Sequence, residues 1–367
     1  SGVQVVLSPG NFLCITDTAG YFSFPHLKNI KYDLTAFLVG YETYKTSISK
    51  GHEKNHVSIV LKKLEKDIDI VVVTNNKDSE FGYSRLRAVE GTSIYASKKN
   101  EVIKIDELLA NKVLNNGRQL FAKVAGLNIW ESGEGGIQLG IGGRGLSPKR
   151  TSNFNTRQNG YDISADALGY PETYYTPSME AVNRIEIIRG AASLQYGTQF
   201  GGLINFVMNE GEKDKALVME SRQTLGSFGL WSSFNRLGGS LNKWQYYVCH
   251  QYKKGNGWRP NGEFELHSFY GSVKYHLNES SNLGIELTKY NYNAHQPGGL
   301  TDFLFEQDAS QSIRERNWFG VDWNIIALSF DHKFNNGDKL NTRFFGLKGN
   351  RRSLGYLGMI SRTDPLT

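Results

Sequence analysis

The sequence predicts a mainly β chain in three parts: a small β-sandwich, a mixed α/β region and a set of long antiparallel strands. The 367 residues include 40 Gly, 20 Phe and 19 Tyr, a composition typical of strands joined by tight turns. Short β runs crowd residues 1–66, and long stretches of alternating polarity follow residue 212. No apolar run reaches the ~18 residues of a membrane-spanning helix, whereas a membrane-spanning strand needs only about 9–11.

The charge and the cysteines argue against a nucleic-acid-binding arm and against a cysteine metal site. The net charge of +6 is modest, and no Lys/Arg tract looks like a nucleic-acid-binding arm. Cys14 and Cys249 lie far apart without metal-ligand spacing, so we expect two unpaired structural cysteines. The first residues, SGVQVVL, look like the inside of a β domain and carry no signal peptide, so we expect a processed or trimmed piece.

Residues 1–66 predict the sandwich, because short runs such as VQVVL, FLCIT and YFSF are separated by turn signals. The segments 16–24 and 39–48 resemble the carboxypeptidase regulatory-like domain. His52 to His56 matches the H-E-x-x-H pattern of zinc proteases, which requires a helix. The flanking runs are β-like, so we favour a structural turn over a zinc site.

Residues 67–211 begin with an extended run and continue as a mixed region. The run DIDIVVVT (67–74) is followed by a polar linker that ends near residue 80. Residues 104–127, KIDELLANKVLNNGRQLFAKVAGL, have helical periodicity, and strand-like runs such as RIEIIRG follow them. Residues 140–145 match G-x-G-x-x-G, but Pro148 and a Ser/Asn-rich run predict no helix after them. We therefore interpret these glycines as a strand and its turn, not as a dinucleotide loop.

The last part of the chain predicts seven long strands, at roughly residues 216–226, 229–240, 243–253, 264–278, 282–293, 322–335 and 338–351. The connections LNK, NESS and NNGD are short, whereas those at 253–265 and 294–320 are long. The connection between the first two strands, near GSFG, is also short and is an exception to this alternation. Short turns on one side and long loops on the other favour an outer-membrane β-barrel over a soluble sandwich.

From residue 67 to its end the chain resembles the plug-and-barrel, TonB-dependent outer-membrane transporters. The strongest match is VNRIEIIRGAASLQYGTQFGGLINFVMNEG (182–211), which resembles the end of the family's plug domain, and IGGRGLSP resembles an earlier plug turn. The resemblance implies a carboxypeptidase regulatory-like domain at 1–66, a linker at 67–80, a plug at 81–211 and the start of a barrel of about 22 strands at 212–367. Seven strands would leave open edges in lipid, so we expect a partial copy of a longer chain.

The same resemblance implies where the chain binds its partners. The TonB box would be Asp67, Ile68, Asp69, Ile70, Val71, Val72, Val73 and Thr74, an extended segment that can add to a partner's sheet. Residues 150–177 resemble ferric-citrate and siderophore receptors, and the plug apex would bind cargo through Lys149, Arg150, Asn153, Asn155, Arg157, Gln158, Asn159 and Tyr161. Loop arginines could close over the cargo: Arg259, Arg314, Arg316, Arg351 and Arg352. Arg144 and Arg189 resemble the family's plug latches, which pair with barrel carboxylates.

The function expected from this resemblance is active import of a ferric siderophore or ferric citrate, driven by TonB. The expected location is the outer membrane of a Gram-negative bacterium, with the domain order of Bacteroidota members and the plug and first domain facing the periplasm. No catalytic residue, cofactor or protein-bound metal is expected, since iron is cargo within its chelate. A surface lipoprotein is a further candidate partner. Import of a glycan, cobalamin or peptide, and a surface sensor without transport, remain as alternatives.

Overall fold

The computed structural model describes residues 2–10, 12–25, 27, 31–39, 41–49, 56–62, 82–90, 92–95, 99–132, 134–164, 172–190, 195–197, 200–362 and 364. The chain divides into two compact units, 1–75 and 76–367. The TonB-box prediction at 67–74 and its linker lie outside the described residues, as does the zinc-protease pattern except for His56.

The first unit contains a four-stranded antiparallel sheet. Its strands are β1 (Gln4–Ser8), β2 (Phe12–Ile15), β3 (Lys31–Phe37) and β4 (Tyr44–Ser49), and their order is β2-β1-β3-β4. Alternate residues of β1 and β3 form its core, in which Leu7 and Leu34 are almost fully buried. Side chains from outside the strands cover this core: Phe22, Phe24, Ile59 and Leu61.

Residues 82–211, the central region, carry ten strands and one short helix. These are β5 (Tyr83–Ser84), β6 (Val89–Glu90), β7 (Ser93–Ile94), β8 (Asn100–Lys104), α1 (Gly117–Leu120), β9 (Leu127–Ser132), β10 (Gln138–Gly143), β11 (Phe154–Gln158), β12 (Tyr161–Asp162), β13 (Val182–Ile188) and β14 (Gly202–Met208). A six-stranded sheet has the order β12-β11-β14-β13-β8-β5, in which β11 and β14 are parallel. Two hairpins, β6-β7 and β9-β10, complete the mixed architecture that the sequence predicts.

The helix predicted for residues 104–127 is wrong in extent, because only α1 is helical there. Two features override the periodicity. The N–H of Ile105 donates to the carbonyl of Asn183, which extends the pairing of β8 beyond its end. Asn115 has a left-handed φ of 46°, and the Asn116 side chain then caps α1. Leu109, placed on the apolar face of that helix by the periodicity, is 97% exposed.

The strand and turn predicted for the glycines at 140–145 are confirmed. Gly142 lies in β10, where a Cβ would come within 2.2 Å of the Leu146 carbonyl oxygen, so only glycine fits. Arg144 and Gly145 form the turn with φ of 57° and 75°. A single 3₁₀ turn, Lys149–Thr151, follows in place of the helix that a dinucleotide would need.

Residues 218–354 contain a seven-stranded antiparallel sheet, here called the wall sheet. Its strands are β15 (Val218–Leu225), β16 (Trp231–Leu241), β17 (Trp244–Gly255), β18 (Phe264–Asn278), β19 (Ser281–His295), β20 (Trp318–Lys333) and β21 (Lys339–Leu354). Each strand pairs with the next in the chain. The seven predicted strands are confirmed, although β20 begins at residue 318 rather than 322.

The connections give the wall sheet two different edges. The turn end carries the short connections 242–243, 279–280 and 334–338. The loop end carries the connections 256–263 and 296–317, and the second contains α2 (Asp302–Gln307). No helix among the described residues is long and apolar enough to span a membrane.

The wall sheet also has two different faces. Its inner face packs on the central region, and one apolar core joins inner residues such as Tyr247, Tyr290 and Trp323 to the central region's Phe154 and Phe206. On the outer face, Leu283, Ile285, Leu287, Ile326 and Leu328 are each 40–48% exposed. One set of alternate residues therefore faces a packed core and the other forms an exposed apolar surface, which is the pattern of a strand in a membrane barrel.

Candidate functional site

Two arginines and two aromatic rings meet where the central region reaches the loop end of the wall sheet. This mouth cluster consists of Arg150 and Tyr174, with Glu172 beside them, and of Phe319 and Arg351 from β20 and β21. Arg150 lies in the 3₁₀ turn after Pro148 and has a left-handed φ of 45°. Left-handed backbone is uncommon outside glycine and concentrates at functional sites.

Hydrogen bonds on both sides hold that turn in place. The Thr151 hydroxyl donates to the carbonyl of Leu139 at 2.7 Å, inside β10. The N–H of Thr173 donates to the carbonyl of Arg150 at 2.8 Å, which brings the segment carrying Tyr174 alongside. The backbone of Arg150 is therefore fixed, and its guanidinium is aimed at the wall sheet.

Both guanidinium groups lie over the same pair of rings. Arg150 Cζ is 5.4 Å from the Tyr174 ring centroid and 5.1 Å from that of Phe319. Arg351 Cζ is 5.6 Å and 5.4 Å from the same two centroids. The rings themselves stack with centroids 5.9 Å apart. Each ring face offers negative potential to a cation, which allows two like charges to be held close together.

The mouth cluster places two guanidinium groups and one carboxylate around the Tyr174 side chain. Glu172 Oε1 lies 3.8 Å from Arg150 Nη1. The Tyr174 hydroxyl donates to Glu172 Oε2 at 3.2 Å and accepts from Arg351 Nη1 at 2.8 Å. Guanidinium groups placed in this way are suitable partners for an anion with several acceptor atoms.

A cavity of about 260 Å³ opens beside the cluster. Lys149 and Arg150 line it from the central region, together with Trp130 and Gln138. The wall sheet contributes Tyr292, whose hydroxyl accepts from Gln138 Nε2 at 2.5 Å. Cationic, amide and aromatic groups thus line one space, which suits an anionic ligand of small size.

The eight predicted cargo residues fall into three groups in the structure. Lys149 and Arg150 line this cavity at the loop end. Asn153, Asn155 and Arg157 lie within the central region, where the Arg157 guanidinium donates to the Gly160 and Tyr196 carbonyls and to the Asn155 amide oxygen. Burial lowers the pKa of Arg157. The Asn153 amide donates to the carbonyl of Ser147 at 2.8 Å.

The third group, Gln158, Asn159 and Tyr161, belongs to a partly buried set of hydrogen bonds to the wall sheet, here called the wall network. Asn159 Nδ2 and the Tyr161 hydroxyl donate to Glu286 Oε2 on β19, at 2.8 and 2.9 Å. Tyr270 donates to the same oxygen at 3.2 Å. Burial, and then the Glu286 charge, raise the pKa of Tyr161 well above its ordinary value, so that it stays a donor. These three residues join the central region to the wall sheet.

Gln158 completes that network with bonds to three side chains. Its Nε2 donates to Thr288 Oγ1 at 3.0 Å and to the Tyr161 hydroxyl at 2.5 Å, and its Oε1 accepts from Tyr175 at 2.7 Å. Gln158 is fully buried. All three predicted residues of the wall network therefore have protein partners in this structure.

The two predicted latch arginines differ from each other. Arg189 pairs with Glu101 and donates to the Ala125 carbonyl at 2.7 Å, so its carboxylate partner is in the central region and not on the wall sheet. Arg144 is exposed at the turn after β10. Among the loop arginines, Arg259 and Arg314 donate to loop carbonyls and Arg316 pairs with Asp364. Only Arg351 of that set contributes to the mouth cluster.

Sequence reasoning missed several residues that complete these sites. Tyr174, Phe319 and Glu286 were not singled out, because each looks like an ordinary aromatic or inward-facing polar residue. The one available signal was the run ETYYT, in which a carboxylate and two aromatic side chains follow the Asn/Arg segment. Both cysteines are free, as predicted. The described residues contain no cluster of three metal-ligating side chains.

Two family matches cover separate parts of the chain. Residues 96–203 match the TonB-dependent Receptor Plug Domain, and residues 1–73 match the CarboxypepD_reg-like domain. The resemblance predicted from the residues is thereby confirmed for both domains. The first of these matches lies within the central region, which is called the plug below.

Solved structures share the fold of about two thirds to three quarters of this chain at low identity. The ferric citrate transporter FecA, in its unliganded form, is 22% identical with a TM-score of 0.61, covering 72% of this chain and 42% of that one. The ferripyoverdine receptor of Pseudomonas aeruginosa is 16% identical with a TM-score of 0.54, covering 67% and 33%. The copper transporter OprC is 13% identical with a TM-score of 0.55, covering 76% and 41%. The chain thus spans about two fifths or less of the length of these structures.

Proposed function

From a chain that carries the plug domain of TonB-dependent receptors, we propose that the protein imports an anionic ferric chelate, a siderophore or ferric citrate, across a Gram-negative outer membrane. In this proposal the loop end of the wall sheet faces the exterior, and the turn end and residues 1–66 face the periplasm. TonB captures the segment Asp67–Thr74 and displaces the plug. No bond is made or broken, so the protein acts as a transporter and not as an enzyme.

The observation that carries this proposal is the pair Arg150 and Arg351. One guanidinium comes from the plug and the other from the wall sheet, and both lie over Tyr174 and Phe319 beside the 260 Å³ cavity. A ferric carboxylate complex presents several negatively charged oxygens, and guanidinium forks bind such oxygens in pairs. A ligand held between the two arginines would touch both the movable and the fixed part of the protein.

The charge of the cavity favours this cargo over the alternatives. A neutral glycan would use the rings and amides, whereas an anion would also use the guanidinium groups of Arg150 and Arg351. Ferric citrate and many ferric siderophores are anionic, and the structures similar to this one include a ferric citrate transporter and a ferripyoverdine receptor. Both considerations support a ferric chelate without identifying which one.

The decisive experiment measures binding and uptake in the full-length protein that contains this chain. Arg150→Ala, Arg351→Ala and the double variant are titrated with ferric citrate and a panel of ferric siderophores, with tryptophan fluorescence as the signal. Each lost charge-assisted contact is worth about 1.5–3 kcal/mol, so we expect roughly 10- to 100-fold weaker binding for each single variant. Uptake of radioactive iron should fall in parallel.

The matched control is Arg118→Ala, which removes an arginine whose side chain is 70% exposed and lies outside the mouth cluster. Its affinity and uptake should equal those of the wild type. Unchanged binding of every ferric chelate in the double variant would refute the proposed site. Tight binding of a neutral glycan or of cobalamin with no ferric ligand would refute the proposed cargo.

Deleting residues 67–74 separates transport from sensing. If TonB acts through this segment, the deletion abolishes uptake and leaves chelate affinity unchanged, because the binding cavity lies at the loop end. Normal uptake by the deletion variant would refute the hypothesis that TonB acts through this segment. Ligand-dependent signalling without any uptake in the wild type would favour the sensor.

A further inference from the structure

The outer face of the wall sheet changes from apolar to polar between two neighbouring rows of paired residues. One row crosses all seven strands and is entirely apolar: Met219, Leu237, Val248, Gly271, Leu287, Ile326 and Gly346. The next outward row toward the loop end is polar except for one ring: Ser221, Asn235, His250, Phe269, Lys289, Asn324 and Lys348. This boundary fixes where an apolar surround would end.

Two lysines on that boundary have no ion-pair partner among the residues that the structure describes. Lys289 and Lys348 pair in register with Asn324 between them, so their backbones are about 10 Å apart. Both are exposed, and no carboxylate of the described residues lies within 4.0 Å of either ammonium group. The nearest acidic residue by register is Asp322, one outward row further toward the loop end, and it accepts from Asn324 Nδ2 at 2.9 Å.

A shallow groove of about 580 Å³ joins the two lysines to the apolar row. Leu287, Ile326 and Gly346 line its apolar part, and Phe269 lines one side. Gly346 leaves the groove open, because a Cβ there would meet only one atom, in Ile326, at 3.8 Å. The groove thus has an apolar part toward the turn end and a dibasic rim toward the loop end.

We propose that this groove binds a membrane lipid with a phosphate in its headgroup. The phosphate lies between Lys289 and Lys348, and an acyl chain lies along Leu287, Ile326 and Gly346. Lysine binds phosphate as a flexible point charge, and at a membrane surface it attracts anionic lipid. The proposal rests on the proposed function in one respect, since it requires the outer face to lie in a membrane.

The test is lipid retention by the full-length protein, measured by native mass spectrometry with added diphosphoryl lipid A as the probe. Each lysine near a membrane surface contributes about a fivefold gain in affinity for anionic lipid, so Lys289→Ala/Lys348→Ala should bind the probe roughly 30-fold more weakly. Gly346→Val keeps both charges and fills the groove, and it should also weaken binding. Lys339→Ala, at the other end of β21, removes a lysine outside the groove and should bind normally.

The outcomes separate this proposal from the proposed function. Equal probe binding by the wild type and both groove variants refutes the lipid site, even if uptake is normal. Displacement of the probe by inorganic phosphate alone would show a phosphate site without lipid selectivity and would also refute it. If the variants lose the lipid while the wild type imports no ferric chelate, the lipid site stands and the transport proposal fails. Dephosphorylated lipid A should bind all four proteins equally weakly.

Discussion

Two of the places where the plug meets the wall sheet differ in almost every physical respect. The mouth cluster holds two guanidinium groups, is partly exposed and opens to a cavity. The wall network is partly buried, and three donors converge on the single oxygen Glu286 Oε2. Guanidinium groups beside open space suit a ligand, whereas a network of satisfied side-chain hydrogen bonds suits attachment. The difference indicates that recognition and retention of the plug are separate tasks of this interface.

The largest expected effect comes from breaking the wall network at its acceptor. Glu286→Ala leaves the Asn159 amide and the Tyr161 and Tyr270 hydroxyls without that acceptor, which should cost about 3–5 kcal/mol of stability. Hydrogen exchange in β11 should quicken, and the thermal transition of the plug should fall. Chelate affinity should stay within twofold of the wild type.

Glu286→Gln is the control for shape, since it keeps an acceptor oxygen and loses the charge. Glu286→Gln should lower the stability of the protein much less than Glu286→Ala does. If Glu286→Ala instead weakens chelate binding as much as Arg150→Ala does, recognition and attachment are not separate, and the contrast between the two places is wrong.

A second variant, Lys253→Met, tests whether Lys253 attaches the plug, as the wall network does, or binds the ligand, as the mouth cluster does. Lys253 is fully buried on β17, and its ammonium group donates at 2.7 Å to the carbonyls of Val113 and Gly135 in the plug. It lies close to the loop end, yet its contacts resemble those of the wall network. Lys253→Met should cost about 1–3 kcal/mol of stability, because two carbonyls lose their donor. Melting temperature and chelate affinity, measured on the same sample, decide the comparison: a loss of affinity alone would assign Lys253 to the mouth cluster.

The sequence predicted the mouth cluster better than the wall network. Alternating polarity located all seven wall strands, because each strand places every second residue in the core. Arg150 was identified through the resemblance of residues 150–177 to ferric-citrate and siderophore receptors. Its partner Arg351 is about two hundred residues away, and only the pairing of β20 with β21 brings it over Phe319. Glu286 alternates with ordinary inward residues, so no local pattern marks it.

A smaller effect tests the mouth cluster without removing a charge. Tyr174→Phe keeps the ring beneath both arginines and removes the hydroxyl that accepts from Arg351 at 2.8 Å. We expect chelate affinity to fall about 3- to 10-fold, the worth of one hydrogen bond, with little change in melting temperature. Tyr21→Phe, at an exposed site in the first unit, is the matched control. A stability loss equal to that of Glu286→Ala would show that Tyr174 serves attachment.

The smallest expected effect concerns a third plug–wall contact, at Glu180. Its carboxylate accepts from Arg222 at 3.3 Å and from Gln251 at 2.8 Å, and burial raises its pKa above the ordinary 4.5 despite the Arg222 charge. A raised pKa means that ionisation is harder in the fold, so this group lowers stability as the pH rises from about 4.5 through the folded pKa. Glu180→Gln should flatten that decline. The difference in melting temperature between wild type and variant, followed from pH 4 to about pH 7, measures it. A difference that moves in the opposite direction would mean that the Arg222 contact outweighs burial, and Glu180 would then belong with Glu286 as a charged anchor of the plug.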